Sequence, residues 1–507
     1  MDLPNNFSVP PVMKEPAPTF LERLVKLNPV RNSSPAIAGL ETERGIISNG
    51  VKEFEMRSFS KKIKKALIIG IDGVPHSLLS TYIKNNIMPN LKKILSEGFT
   101  LHQTNASIPD ISSVSWTSFN TGVNPGEHGI YGFTDLKPDS YSLYFPNSKD
   151  IKAPTFWEIL GKTNQKTSTL FQKYHKKISH PYRSVIFNVP HTYPAWPMNG
   201  ILVSGFVAID LKKATFPDSI YTYLHSMNYL IDVEAEKAKE DKTEFMKSLF
   251  ECFEIRKKAI SHFFVGEPWD LFFACITETD RLHHFFFDAS NDKENPYYES
   301  FLRFYVELDK FIKYLYEQFV ERYSEKGFFM ILSDHGFAPV KKEVYINKFL
   351  EEKGLLVLKN EGNFYERVEN KTKAFNLDPC RIYIHGTDAY PRGTVREEEK
   401  TDLLEEIKKI LRTLKGENGD EVIDKIFEKE EIYHGPHTRM APDLVCLPKD
   451  GYDLKGSLEK KEIFSYNIFK GMHTWHDAFC ILPSNISFSK KPSVEELTEH
   501  ILDYFTE

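Results

Sequence analysis

The chain is poor in the features that mark several large classes of protein. No stretch approaches the roughly 18 consecutive apolar residues that a membrane span needs, so no spanning helix is expected. Cysteine is scarce: five among 507 residues, scattered and without a Cys-x-x-Cys pair. Such cysteines read as free thiols in a reducing compartment, not as a disulfide frame. Excess positive charge is absent too. A formal net charge of −6 leaves no general basic face for nucleic-acid phosphates. The opening stretch MDLPNNFSVPPVMKEPAPTF has neither the basic nor the apolar region of a secretory signal, so the expected location is cytoplasmic. No internal repeat is visible, and no signal for an oligomeric state.

What is present is an ordinary globular composition, 41% hydrophobic and 27% charged, on a chain long enough to bury a large core. Residues 1–62 are rich in Pro, Ser, Asn and charge and read as a poorly ordered tail. Beyond them come apolar runs of strand length: ALIIGI after Lys65, then SVIFNV (184–189), GILVSGF (200–206), LFFACIT (271–277), GFFMILS (327–333), DLVCLP (443–448) and AFCILP (478–483). Helical spacing lies between most of them, notably over 234–263 and 296–323. Strands apolar throughout and alternating with helices predict a largely parallel sheet covered on both faces. The charged stretch 345–435 reads as a cap inserted into a core of 63–344 and 436–507.

In an open α/β sheet ligands gather beyond the carboxyl ends of the strands. Asp72 follows the first run; Asp280 and His284, four apart, follow LFFACIT; Asp334, His335 and Gly336 follow FFMILS; His473 and His476 precede AFCILP. Singly, each has a plainer reading, as a turn, a helix N-cap or a surface histidine. Together they put three Asp and three or four His at one edge of one sheet, a donor set suited to Zn²⁺ and also to Mn²⁺ or Fe²⁺. The segment SSVSWTSFNTG, residues 112–122, reads as a short helix closed by Gly122, with Ser112 or Ser113 at its N-terminus, where unpaired N–H groups favour an oxyanion.

With these residues assembled, the chain resembles the alkaline phosphatase superfamily, in particular its type I phosphodiesterase and nucleotide pyrophosphatase branch. The matching stretches include LIIGIDG, MPNLKKILSEG, WTSFNTGVNPGEHGIYGF, FNVPHTYPAWPMNGILVSGF, TETDRLHHFFF, ILSDHGF, YHGPHTRMAPDLVCLP and GMHTWHDAFCIL, spanning roughly 65–485. The resemblance implies a three-layer α/β sandwich with a largely parallel central sheet and an inserted cap. It implies two divalent metal ions, Zn²⁺ first with Mn²⁺ or Fe²⁺ as alternatives. One would be held by Asp72, Asp334 and His335, the other by Asp280, His284 and His473. Ser112 falls on the nucleophile position, ten residues before Gly122.

The implied activity is hydrolysis of a small phosphodiester or pyrophosphate through a covalent phosphoserine. The alternatives are a phosphomonoester, phosphonate or sulfate-ester hydrolase of the same superfamily, or a non-enzymatic metal-binding member. Two departures narrow the reading. Phe133 stands where nucleotide pyrophosphatases carry a phosphate-holding Asn, and the sulfatase Cys/Ser-x-Pro-x-Arg signature is missing. Ser113, Trp116, Phe133, Arg281 and His283 are expected to contact substrate.

Overall fold

The computed structural model describes residues 64–507 apart from 164–165, 236, 324–326 and 467. The tail expected over 1–62 lies outside the described residues. Eight strands build the central sheet: β1 (Ala66–Ile71), β2 (Phe99–Thr104), β3 (Ser184–Val189), β4 (Gly200–Ser204), β5 (Thr215–Phe216), β6 (Leu271–Ile276), β7 (Phe328–Leu332) and β8 (Ala478–Pro483). Their order is β2-β8-β7-β1-β6-β3-β4-β5. The five strands from β7 to β4 are mutually parallel. Antiparallel β5 closes one side, and β8, antiparallel to both β7 and β2, joins the other.

Every residue of β1, β3 and β6 is buried, because helices cover both faces. On one face Ala66, Ile68, Leu271 and Phe273 pack with α1 (Ser112–Thr121) and with the C-terminal helix Leu497–Thr506. On the other, Phe264 of the helix α2 (Lys242–Gly266) meets Phe272 edge-on. The short helix α3 (Glu278–Phe286) leaves the end of β6, and Tyr316 of the long helix α4 (Tyr298–Tyr323) packs on Phe329. The arrangement is a three-layer α/β sandwich of the alkaline-phosphatase kind.

A second apolar cluster runs from Val344 to Leu454 and includes Tyr141. It contains a four-stranded antiparallel sheet, and here the structure departs from the sequence reading: the run at 443–448 forms a strand, Leu444–Pro448, in this sheet and not in the central one. Among the described residues no helix is long and apolar enough to cross a membrane.

Candidate metal centre

Three parallel neighbours, β7, β1 and β6, end side by side, and each carries acceptors just past its carboxyl end. Asp72 follows β1. Asp334 and His335 follow β7 and precede the short strand Gly336–Pro339. Asp280 and His284 lie one turn apart on α3, so both face the same way. His473 arrives on Gly471–Thr474, which pairs antiparallel with Gly336–Pro339 and sets His473 opposite Phe337.

Two groups of donors form. Asp72, Asp334 and His335 each offer one atom within 4.8 Å of the others, and so do Asp280, His284 and His473. The groups adjoin, with His335 Nε2 4.0 Å from Asp280 Oδ1.

The local hydrogen bonds orient these side chains. Each carboxylate has one oxygen tied to a donor outside the groups. Trp116 Nε1 donates to Asp72 Oδ2 (2.9 Å), the Gly73 N–H to Asp334 Oδ1 (3.1 Å) and Arg281 Nη1 to Asp280 Oδ2 (3.2 Å). The remaining oxygens turn inward, and Asp334 Oδ2 and Asp280 Oδ1 are buried without a hydrogen bond.

The histidines follow the same plan. Nδ1 of His335, His284 and His473 lies 3.0, 3.3 and 2.9 Å from the carbonyl oxygens of Gly336, Gly471 and Asp110. With Nδ1–H donating there, the lone pair of Nε2 points into the site. His284 and His473 then set two ring nitrogens 3.0 Å apart, with Asp280 Oδ1 3.5 and 3.3 Å from them. Converging acceptors without a donor repel one another; a cation between them removes the repulsion. The donor set therefore fits two divalent cations.

Electrostatics differ between the groups, and Asp280 with Asp110 raises His473 against its burial. Burial, then the neighbouring Asp334 and Asp280, push the Asp72 carboxyl well up. Burial also raises Asp334. Burial raises Asp280 as well, but His284, His473 and Arg281 outweigh it and hold that carboxyl far below the usual range. Burial keeps His335 and His284 neutral, well below ordinary imidazoles.

Ser112 is the first residue of α1, preceded by Ile111 as N-cap, so its hydroxyl is not spent on capping. It donates to Asp72 Oδ1 at 3.3 Å and lies 3.1 Å from His335 Nε2. Ser113 Oγ is buried and makes no hydrogen bond. His476 stays outside both groups, 3.9 Å from Asp450.

The expected substrate contacts fare differently. Trp116 is fully buried, its N–H committed to Asp72. His283 is fully buried as well, between the Gly73 carbonyl (2.7 Å) and Tyr305 Oη (2.8 Å). Both side chains are buried and turned to protein partners. Arg281 is held by Asp232 and Asp280, and its guanidinium lies 4.3 Å from the centre of the Phe206 ring. Half-buried Phe133 packs edge-on against the same Phe206. Phe206 and Asp232 were not foreseen as neighbours of the site: Phe206 closes the stretch that ends in GILVSGF, just past β4, and Asp232 lies outside every matching stretch.

Gly336 opens its short strand opposite Thr474. Its φ is not positive; space is what it supplies, since a Cβ there would stand 2.6 Å from Thr474 Oγ1 and 2.8 Å from the Asp477 backbone. The left-handed turn is at Gly73, φ +65°, where the free N–H reaches Asp334.

A family model described as type I phosphodiesterase / nucleotide pyrophosphatase matches residues 66–476. No curated protein matches the chain. Among solved structures, phosphonoacetate hydrolase from Sinorhizobium meliloti with phosphonoformate has a TM-score of 0.55 at 14% identity, over 88% of this chain and 96% of that one. Its complex with phosphonoacetate gives 0.56 at 13% over the same shares. Murine ectonucleotide pyrophosphatase / phosphodiesterase 5 gives 0.46 at 13%, over 87% of this chain and 95% of its own. The likeness to phosphonoacetate hydrolase is one of fold. With its matched stretch running through both donor groups and the serine beside them, the chain belongs to the type I phosphodiesterase / nucleotide pyrophosphatase family of phosphoryl hydrolases.

Proposed function

We propose that the chain is a two-metal phosphodiesterase or pyrophosphatase acting through a covalent phosphoserine at Ser112. The supporting observation is the place of Ser112 Oγ, at the N-terminus of α1 and within 3.3 Å of both Asp72 and His335. Two divalent cations, Zn²⁺ first and Mn²⁺ or Fe²⁺ as alternatives, would be held by Asp72, Asp334 and His335 and by Asp280, His284 and His473; bound, they supply the charge that acidifies a hydroxyl and stabilises oxyanions.

The rest of the chemistry falls to the chain. Ser112 Oγ attacks phosphorus, its proton directed at Asp72 Oδ1, and the bond to the leaving oxygen breaks with the electron pair going to that oxygen. Unpaired N–H groups of the first turn of α1 lie beside Ser112 and favour the phosphoryl oxygens. Water then attacks the phosphoserine, releases a phosphomonoester and restores the hydroxyl. Three carboxylates leave two divalent ions with a small net positive charge, which suits a singly charged diester better than a dianion.

A small-molecule phosphodiester is the proposed substrate. Hydrolysis of a phosphonate is the second reading, drawn from the fold shared with phosphonoacetate hydrolase. The five cysteines, all buried and unpaired, suit the proposed cytoplasmic location. Rates on bis-p-nitrophenyl phosphate, p-nitrophenyl phosphate and phosphonoacetate, with Zn²⁺ or Mn²⁺ added, separate the readings. The diester is expected to be fastest; preference for the monoester or the phosphonate contradicts the proposal.

A further inference from the structure

We infer that Arg281, braced by Asp232, is a positioning residue that turns Asp280 toward the cation site it forms with His284 and His473. The inference rests on the two-cation reading above. All three guanidinium nitrogens are engaged: Nη1 with Asp280 Oδ2 at 3.2 Å, Nε and Nη2 with Asp232 Oδ2 at 3.1 and 2.6 Å. The flat face rests on Phe206. A planar fork fixed on three sides has one orientation, and it holds the outer oxygen of Asp280 so that Oδ1 faces the two histidines.

Asp232 also answers an electrostatic problem. A bare guanidinium beside a divalent site would repel the ion it helps to place; the Asp232 carboxylate offsets that charge. Asp232 is itself located by a buried cation. Arg256 Nη2 donates to the Ile231 carbonyl at 2.8 Å, and its Nε to Glu278 Oε1 at 2.6 Å, in the first residue of α3. One side chain thus ties the loop that carries Asp232 to the helix that carries Asp280 and Arg281. Asp72 and Asp334 receive only neutral donors, Trp116 and Ser112 on the first and Gly73 on the second. Asp280 alone of the three is held by a charged donor with its own counter-ion.

Calorimetric titration of the chelator-stripped full chain with Zn²⁺ tests this. Wild type is expected to take up two ions. In Arg281→Met one affinity falls roughly 10- to 100-fold and the other stays. Arg281→Lys recovers part of the loss, and Asp232→Asn weakens the same ion. At saturating Zn²⁺ the KM of the variants stays near wild type. Should Arg281→Met fail to fold, Asp232→Asn, near the surface, carries the test. Unchanged affinity for both ions in Arg281→Met and Asp232→Asn, with a raised KM, overturns the inference and makes Arg281 a substrate contact while the two-metal reading stands. A folded wild type that takes up fewer than two ions overturns the parent reading itself.

Discussion

At the scale of single residues, fully buried side chains hydrogen-bond the candidate ligands. Trp116 is the plainest case. Its indole crosses β1 at Gly70, where a Cβ would stand 2.6 Å from the ring, and donates to Asp72. Trp116→Phe keeps most of the packing and loses the donor. It is expected to lower kcat/KM for a diester roughly tenfold or more, with cation uptake weakened in parallel. An unchanged kcat/KM would show that Asp72 needs no such support. From the sequence, Trp116 and His283 read as substrate contacts, because both sit in motifs beside the nucleophile or a ligand. Only the folded chain shows them facing inward. Motif position says that a residue is near the chemistry; burial decides on which side of the ligands it stands.

At the scale of elements, the strands legible in the sequence were those buried on both faces. In β1, β6, β7 and β8 every position is apolar and all but the last of β8 are buried, so an unbroken hydrophobic run marks each; β3 is as fully covered, with Ser184 and Asn188 its only polar positions. Strand β2 escaped, since FTLHQT lies half-buried, paired among the described residues only with β8, and mixes polar with apolar residues. The run at Leu444–Pro448 shows the converse: an apolar strand does not say which sheet it will join.

The close pairing of Gly336–Pro339 with Gly471–Thr474 yields a second prediction. Gly336→Ala places a methyl group against the Asp477 backbone and is expected to cost about 1–3 kcal/mol in urea unfolding. A third concerns the start of α3. Glu278 is buried against Arg256, and Glu278→Ala would strand that cation at a cost of about 3–5 kcal/mol, read from the same measurement. A loss under 1 kcal/mol would mean that water reaches Arg256.

At the scale of the whole molecule, stability should depend on pH through a histidine outside both donor groups. His191 is buried, neither ring nitrogen has a hydrogen-bond partner, and burial lowers it to about 4. In the unfolded chain it takes up a proton below about 6.5, while in the folded chain it resists until about 4. Its contribution to stability is thus complete above pH 6.5 and is lost as pH falls toward 4, by about 3 kcal/mol. Because φ at His191 is +61°, His191→Asn is the suitable non-titrating variant. Its unfolding free energy should fall less than that of wild type between pH 7 and pH 5. Parallel slopes would place the titrating group elsewhere.

The two donor groups, drawn from segments 401 residues apart, Asp72 to His473, also belong to this scale. They were legible because ligand types recur at strand ends. The contacts of Asp232 and Phe206 with Arg281 were not, because which side chains meet beyond a strand end is set by tertiary packing.

The central claim, that Ser112 is the nucleophile, is tested most directly by mass spectrometry of the metal-loaded chain quenched with acid during turnover of bis-p-nitrophenyl phosphate. A p-nitrophenyl-phosphoryl adduct on Ser112, absent from a folded Ser112→Ala variant that has also lost turnover, is the predicted result. An adduct on Ser113 or elsewhere, or undiminished turnover by Ser112→Ala, would contradict it.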